Sequence, residues 1–144
     1  MNVVEVIVPV ITVSEANGGR KKKLKISGTT LYKGEHWGDK QRRHKKQKSK
    51  VAYFLNPHQS KLSLPCHIFL TRFAPRKLDK FDNLPMSLKY ILDAICEIIT
   101  QDFRPGRADN TDKINVTYAQ VNSKEYAVKI TIQMGLQDYH FRSD

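Results

Sequence analysis

The chain has 144 residues, with 25 Lys plus Arg against 14 Asp plus Glu and a formal net charge of +11. One domain of this length can bury a real core, and 40% hydrophobic residues exclude a disordered chain. No apolar run is long enough to span a bilayer, so the excess positive charge points to a polyanionic partner, either nucleic acid or an acidic membrane surface.

Val3 to Val13 is a β-branched run. It contains Glu5 and Pro9 and lacks a basic leader, which predicts a first strand rather than a signal peptide. Lys23-Leu24-Lys25-Ile26-Ser27 alternates and predicts a second strand, entered through Asn17-Gly18-Gly19. Asp39 to Leu55 predicts a helix ended by Asn56-Pro57. Its apolar residues Val51, Ala52, Phe54 and Leu55 fall only in the last turns. Cys66 to Phe73 predicts a well-buried strand, because Ile68, Phe69 and Leu70 run together, and Ala74-Pro75 closes it.

The clearest helix begins near Leu84 or Pro85, with Asn83 as N-cap and Pro85 in the first turn. Leu84, Leu88, Ile91, Leu92, Ile95 and Ile98 recur at spacings of three and four and make one core face. Ile114, Val116 and Tyr118 alternate, as do Tyr126, Val128, Ile130, Ile132 and Met134; Val121-Asn122-Ser123-Lys124 reads as the hairpin turn between two last strands. Residues 136–144 form a polar tail. The expectation is one α+β domain over 1–144, with a small mixed sheet of about five strands and two main helices packed on it. Cys66 and Cys96 have no framework around them, which suits two small buried side chains in a reducing cytoplasm.

Positive charge concentrates in segment 20–50. Arg20, Lys21, Lys22, Lys23 and Lys25 form one cluster; Lys40, Arg42, Arg43, Lys45, Lys46, Lys48 and Lys50 form another. So dense a second cluster repels itself and is expected to be stable only against anions. Phosphate contact is its natural use, and His36, Trp37 and Tyr32 offer rings for stacking on exposed bases. The competing reading of Trp37 is an ordinary core contact. Arg76 and Arg107 complete the candidate DNA-contact set.

The carboxylates carry the chemistry. Lys89 and Asp93 follow Asp82 by seven and eleven residues, about two and three helical turns, which predicts that all three share a face other than the Leu/Ile face. The plain alternative is a capped helix with a Lys89–Asp93 surface ion pair. Asp79 and Asp82 follow the 66–73 strand, and Asp109 and Asp112 precede the 114–120 strand. If those strands are neighbours, four carboxylates converge at one edge of the sheet, where a divalent ion or nearby Arg107 and Lys80 would relieve their repulsion. The alternative is a solvated acidic loop with Asp109 and Asp112 as turn residues. His58, Cys66, His67 and Cys96 lack zinc-ligand spacing, and no Gly-flanked nucleophile or phosphate-cradling glycine loop is present.

Asp82-Asn83-Leu84, Lys89, Asp93-Ala94-Ile95, Ala108-Asp109, Ile114 and Tyr118-Ala119-Gln120 together resemble the RusA family of Holliday-junction resolvases. The likeness covers Pro75 to about Ile132, and Glu35-His36-Trp37 with the basic helix resembles the first half of phage members. The resemblance implies a RusA-like fold, a homodimer, and Mg²⁺- or Mn²⁺-dependent cleavage of branched DNA such as a four-way junction. It implies that Asp82 and Asp109 are metal-binding catalytic residues and that Lys89 is the family lysine. The family pattern Asp-x-Asp-Asn is broken here, since Lys80 stands two residues before Asp82 and Asp79 three before. Asp79 or Asp112 would have to complete the metal site. If neither does, the resemblance implies a non-catalytic nucleic-acid-binding protein on the same fold.

Overall fold

The computed structural model describes residues 2–12, 37–79, 83–102 and 112–135. Four strands, β1 (Val3–Val8), β2 (Cys66–Ala74), β3 (Ile114–Asn122) and β4 (Ala127–Met134), form one mixed sheet in the order β1-β4-β2-β3. The helices are α1 (Trp37–Leu55), α2 (Asn83–Ser87) and α3 (Lys89–Thr100), with a short 3₁₀ helix at Asn56–Lys61. The mixed α+β class is as expected. The predicted strand at 23–27 and the tail at 136–144 lie outside the described residues.

β1 is shorter than the predicted 3–13 run. It ends at Val8 because Pro9 has no N–H to offer the ladder. β2 is central, antiparallel to β4 and parallel to β3. Its inner-face residues Cys66, Ile68, Leu70, Arg72 and Ala74 are buried, while Phe69 and Phe73 half-bury the other face. That apolarity on both faces draws it to the middle of the sheet.

One expectation fails here. β3 and β4 do not form a hairpin, because β2 stands between them. The stretch after β3 passes the end of β2, where the Ser123 N–H donates to the Ala74 carbonyl over 2.9 Å. Local alternation predicted two strands and a turn, but the turn chemistry alone does not choose the strand partner.

The predicted second helix is two helices. The Ser87 hydroxyl donates to the Leu84 carbonyl (2.8 Å), and the Leu88 N–H bonds the Pro85 carbonyl instead (3.1 Å). This tighter turn interrupts the ladder at Leu88, and Leu92 N–H to the Leu88 carbonyl (2.9 Å) restarts it. The 3.6-residue face predicted for residues 82 to 93 therefore does not run unbroken.

The core lies between the inner face of the sheet and the helices. Ile91, Ala94, Ile95 and Ile98 of α3, with Leu84 and Leu88, pack on Val4, Val8, Ile68, Leu70, Val128, Ile130 and Ile132. Cys66 and Cys96 are buried free thiols, and burial pushes the Cys66 thiol up to about 11. Among the described residues no helix is long and apolar enough to cross a membrane. Ile95 is fully buried and Ile7 is 56% exposed, so the two isoleucines report on opposite environments. In urea denaturation, Ile95→Ala is expected to lose about 2–5 kcal/mol and Ile7→Ala about 0.5 kcal/mol or less.

Candidate nucleic-acid interface

α1 sorts its charges by face. Arg43, Gln47, Val51 and Leu55 recur every four residues and are buried. Gln41, Arg42, Lys45, Lys46, Ser49 and Tyr53 are exposed on the other side. A helix face repeats near every fourth residue, so the sequence itself separates the two sets.

Several inward-facing groups of α1 meet partners within the protein. Lys48 Nζ lies 2.7 Å from Glu97 Oε2 of α3. The Arg43 guanidinium sits 5.8 Å from the centre of the Tyr90 ring, and His44 stacks on the same ring at 3.9 Å. Lys50 Nζ donates to the Pro9 carbonyl (2.8 Å) and Gln47 Nε2 to the Ile11 carbonyl (3.0 Å). Arg43 and Lys48 sit inside the fold's own network, and Arg42 pairs with Asp39 one turn earlier.

The solvent face keeps Arg42, Lys45 and Lys46. Lys89 at the start of α3 is 60% exposed and close enough for its charge to act on His44, so it lies beside this basic helix. Its ammonium stands 3.8 Å from Asp93, the ion pair that the four-residue spacing allowed. Trp37 opens α1, but its side chain is not among those described. Lys21, Lys22, Lys23 and Arg107 lie outside the described residues. Arg76 is exposed just past β2, and its carbonyl accepts from Arg72 Nη1 at 2.8 Å.

The premise about the carboxylates holds, but Asp79 and Asp112 do not converge. β2 and β3 are neighbours, but they are parallel: Cys66 pairs with Ile114 and Ala74 with Asn122. The start of β3 therefore lies beside the start of β2. The Cys66 N–H donates to the Lys113 carbonyl (3.0 Å), which puts Asp112 at that end. Asp79 is at the other end. The Gln120 side chain clasps its neighbour Leu78, accepting from Leu78 N–H (2.9 Å) and donating to its carbonyl (2.8 Å). Six residues of strand separate Ile114 from Gln120, about 20 Å. Metal–oxygen bonds are about 2–2.6 Å, so Asp79 and Asp112 cannot share an ion within one chain. Asp82 and Asp109 lie outside the described residues. Among the described residues no three His, Cys, Asp or Glu side chains are grouped to hold a metal.

Sequence reasoning missed the structural parts played by three residues. Arg72, buried in β2, donates to Thr12 Oγ1 (2.9 Å) as well as to Arg76. Gln120 holds the approach to Asp79. Gln47 is 1% exposed, and its Oε1 has no hydrogen-bond partner. A polar residue inside the four-residue stripe of Val51 and Leu55 was the available signal for Gln47. No protein-family model matches this chain, and no curated protein matches it significantly.

Burial first, then the Lys48 charge, lowers the His44 pKa below its ordinary 6.5, while Glu97 acts the other way. The folded protein thus binds this proton less tightly than the unfolded chain. The stability lost is nil above the unfolded value and grows as pH falls through it, levelling below the folded value. Between about pH 7.5 and 5.5, wild type is expected to lose more stability than His44→Phe, as measured by denaturation at each pH.

Proposed function

We propose that this chain binds DNA backbones through the solvent face of α1 and acts as a Mg²⁺-dependent endonuclease on branched DNA. The observation that supports the binding half is the sorting of α1. The fold pairs Lys48 with Glu97, buries Arg43 beside Tyr90, and presents Arg42, Lys45 and Lys46 to solvent beside Lys89. Such a stripe suits phosphates and carries no base readout of its own.

The cleavage half is supported by the resemblance of Asp82-Asn83-Leu84, Lys89 and Ala108-Asp109 to RusA-like resolvases. In that reading Asp82 and Asp109 are the principal ligands of the ion, and a homodimer would offer two such surfaces to a four-way junction. A second reading is a non-catalytic nucleic-acid-binding protein. The sequence departure at Lys80 favours it, because a lysine stands where the family pattern has a carboxylate.

Cleavage of a four-way junction with and without Mg²⁺ separates the two. Magnesium-dependent cutting that Asp82→Asn abolishes without loss of binding supports the nuclease. Binding without cutting at any Mg²⁺ or Mn²⁺ concentration supports the second reading. Replacing Arg42, Lys45 and Lys46 by Gln is expected to weaken binding to every DNA alike. The slope of log K against log salt should become shallower by about 2–3, close to 0.9 for each duplex phosphate that is no longer neutralised. An unchanged slope would remove α1 from the interface.

Lys89→Ala tests the remaining role. Loss of its exposed pair with Asp93 is worth only a few tenths of a kcal/mol, so folding and binding should persist. Cutting is expected to fall at least tenfold, about 1.4 kcal/mol of barrier. Cutting at the wild-type rate would make Lys89 structural.

A further inference from the structure

Tyr53 is 75% exposed, the most exposed large hydrophobic side chain among the described residues and the one aromatic ring in that set. It stands on the last turn of α1, on the face that carries the basic stripe. Lys46 precedes it by seven residues and Arg42 by eleven, about two and three helical turns, so the three align along the helix with Ser49 between them. From Lys40 to Leu55 the helix contains no Asp or Glu. The ring is braced: it lies edge-on to Phe54 at 5.2 Å and 82°, and Phe54 packs against the core.

A lone exposed ring is common on protein surfaces and by itself specifies nothing. Its setting narrows the partner. A polyanion that follows Arg42, Lys45 and Lys46 along the helix axis reaches Tyr53 about 10 Å beyond Lys46, roughly three stacked nucleotides at 3.4 Å each. An apolar protein surface would gain the ring but would have to desolvate the cations beside it. An acidic peptide would answer the cations but has no regular supply of flat π-faces. Every nucleotide carries such a face beside its phosphate. A paired duplex hides those faces in its own stack, and taking one out costs free energy. The face is open where a base is unpaired.

We propose that α1 ends in a base-stacking site. Tyr53 takes the face of one unpaired base, while Arg42, Lys45 and Lys46 hold the phosphates of the same DNA strand. Bracing by Phe54 limits the ordering cost of that contact, and stacking on one ring is tolerant of base identity. The inference rests on the reading of α1 as a DNA surface and deepens it, because phosphate contact alone does not distinguish paired from unpaired DNA. It requires neither cleavage nor a metal.

The test is metal-free equilibrium binding of the whole chain to labelled oligothymidylate, to an abasic strand of equal length and to a linear duplex. Wild type is expected to prefer oligothymidylate to the abasic strand about tenfold. Tyr53→Ala, at an exposed position, should remove that preference and leave duplex binding and thermal unfolding unchanged. Tyr53→Phe keeps the π-face and should bind as wild type, whereas Tyr53→Leu keeps apolar bulk alone and should behave as Tyr53→Ala. Oligothymidylate binding that survives Tyr53→Ala overturns the proposal, as does an equal loss on all three probes. Wild-type affinity in Tyr53→Leu also overturns it, and would mark an apolar docking surface of the kind a protein partner uses. The underlying reading fails separately. Duplex binding that persists when Arg42, Lys45 and Lys46 become Gln removes α1 from the DNA surface and sinks both. Duplex binding that needs those cations, with no gain from bases over the abasic strand, sinks the stacking site alone.

Discussion

The parallel pairing of β2 with β3 is the constraint on which the rest of this molecule depends. Nine register pairs, from Cys66–Ile114 to Ala74–Asn122, run in one direction. Parallel neighbours cannot be joined by a tight turn, so the chain must cross back over one face of the sheet. α2 and α3 lie in that crossover, and their apolar stripe covers Ile68, Leu70, Ile130 and Ile132. α1 then packs on α3 and β1. The same pairing separates the loops. Whatever follows β2 emerges at one end of the sheet, and whatever precedes β3 enters at the other.

A highly basic helix can join a core only if its inward charges are compensated. Isolated burial of a guanidinium or an ammonium costs several kcal/mol. Here Glu97 meets Lys48, Tyr90 lies beside Arg43, and the Pro9 and Ile11 carbonyls take Lys50 and Gln47. The contacts advance in the same sense along α1 and α3, from His44–Tyr90 to Lys48–Glu97. Those partners orient the helix, and its orientation decides which cations remain outside. The exposed basic face is thus a consequence of packing as much as of charge.

The inner face of the sheet changes character at one end. Apolar residues fill it from Cys66 to Leu70, and then the row Val128–Arg72–Gln120 turns polar. Arg72 reaches Thr12 and Arg76, and Gln120 reaches both backbone groups of Leu78. Each such bond is worth about 1 kcal/mol net, but an unmet partner there would cost more. This row ties the segment after β1 and the exit of β2 to the sheet, and it holds Asp79 at that end.

Local periodicity was enough to locate most of the described elements, though not the end of β1 at Val8 or the break at Leu88. Alternation at Val128, Ile130, Ile132 and Met134 located β4, and spacings of three and four from Ile91 to Ile98 located α3. The basic helix was equally visible, since Asn56-Pro57 stops it and its charge run has no other home. Strand partners were not visible, because alternation says which face a residue takes and nothing about its neighbour. A hairpin between β3 and β4 satisfied every local rule, and β2 still separates them. The carboxylates show the same limit. Their places along the chain suggested one cluster, whereas strand direction sets Asp79 and Asp112 apart. Charge likewise marked α1 as a strongly basic element, yet which cations face solvent depended on Glu97 and Tyr90, more than forty residues away in the chain. Composition and periodicity are properties of short segments, so the sequence by itself determined most of the elements, their apolar faces and the overall charge. Pairing, polarity and burial arise between distant segments, and only the tertiary structure decided them.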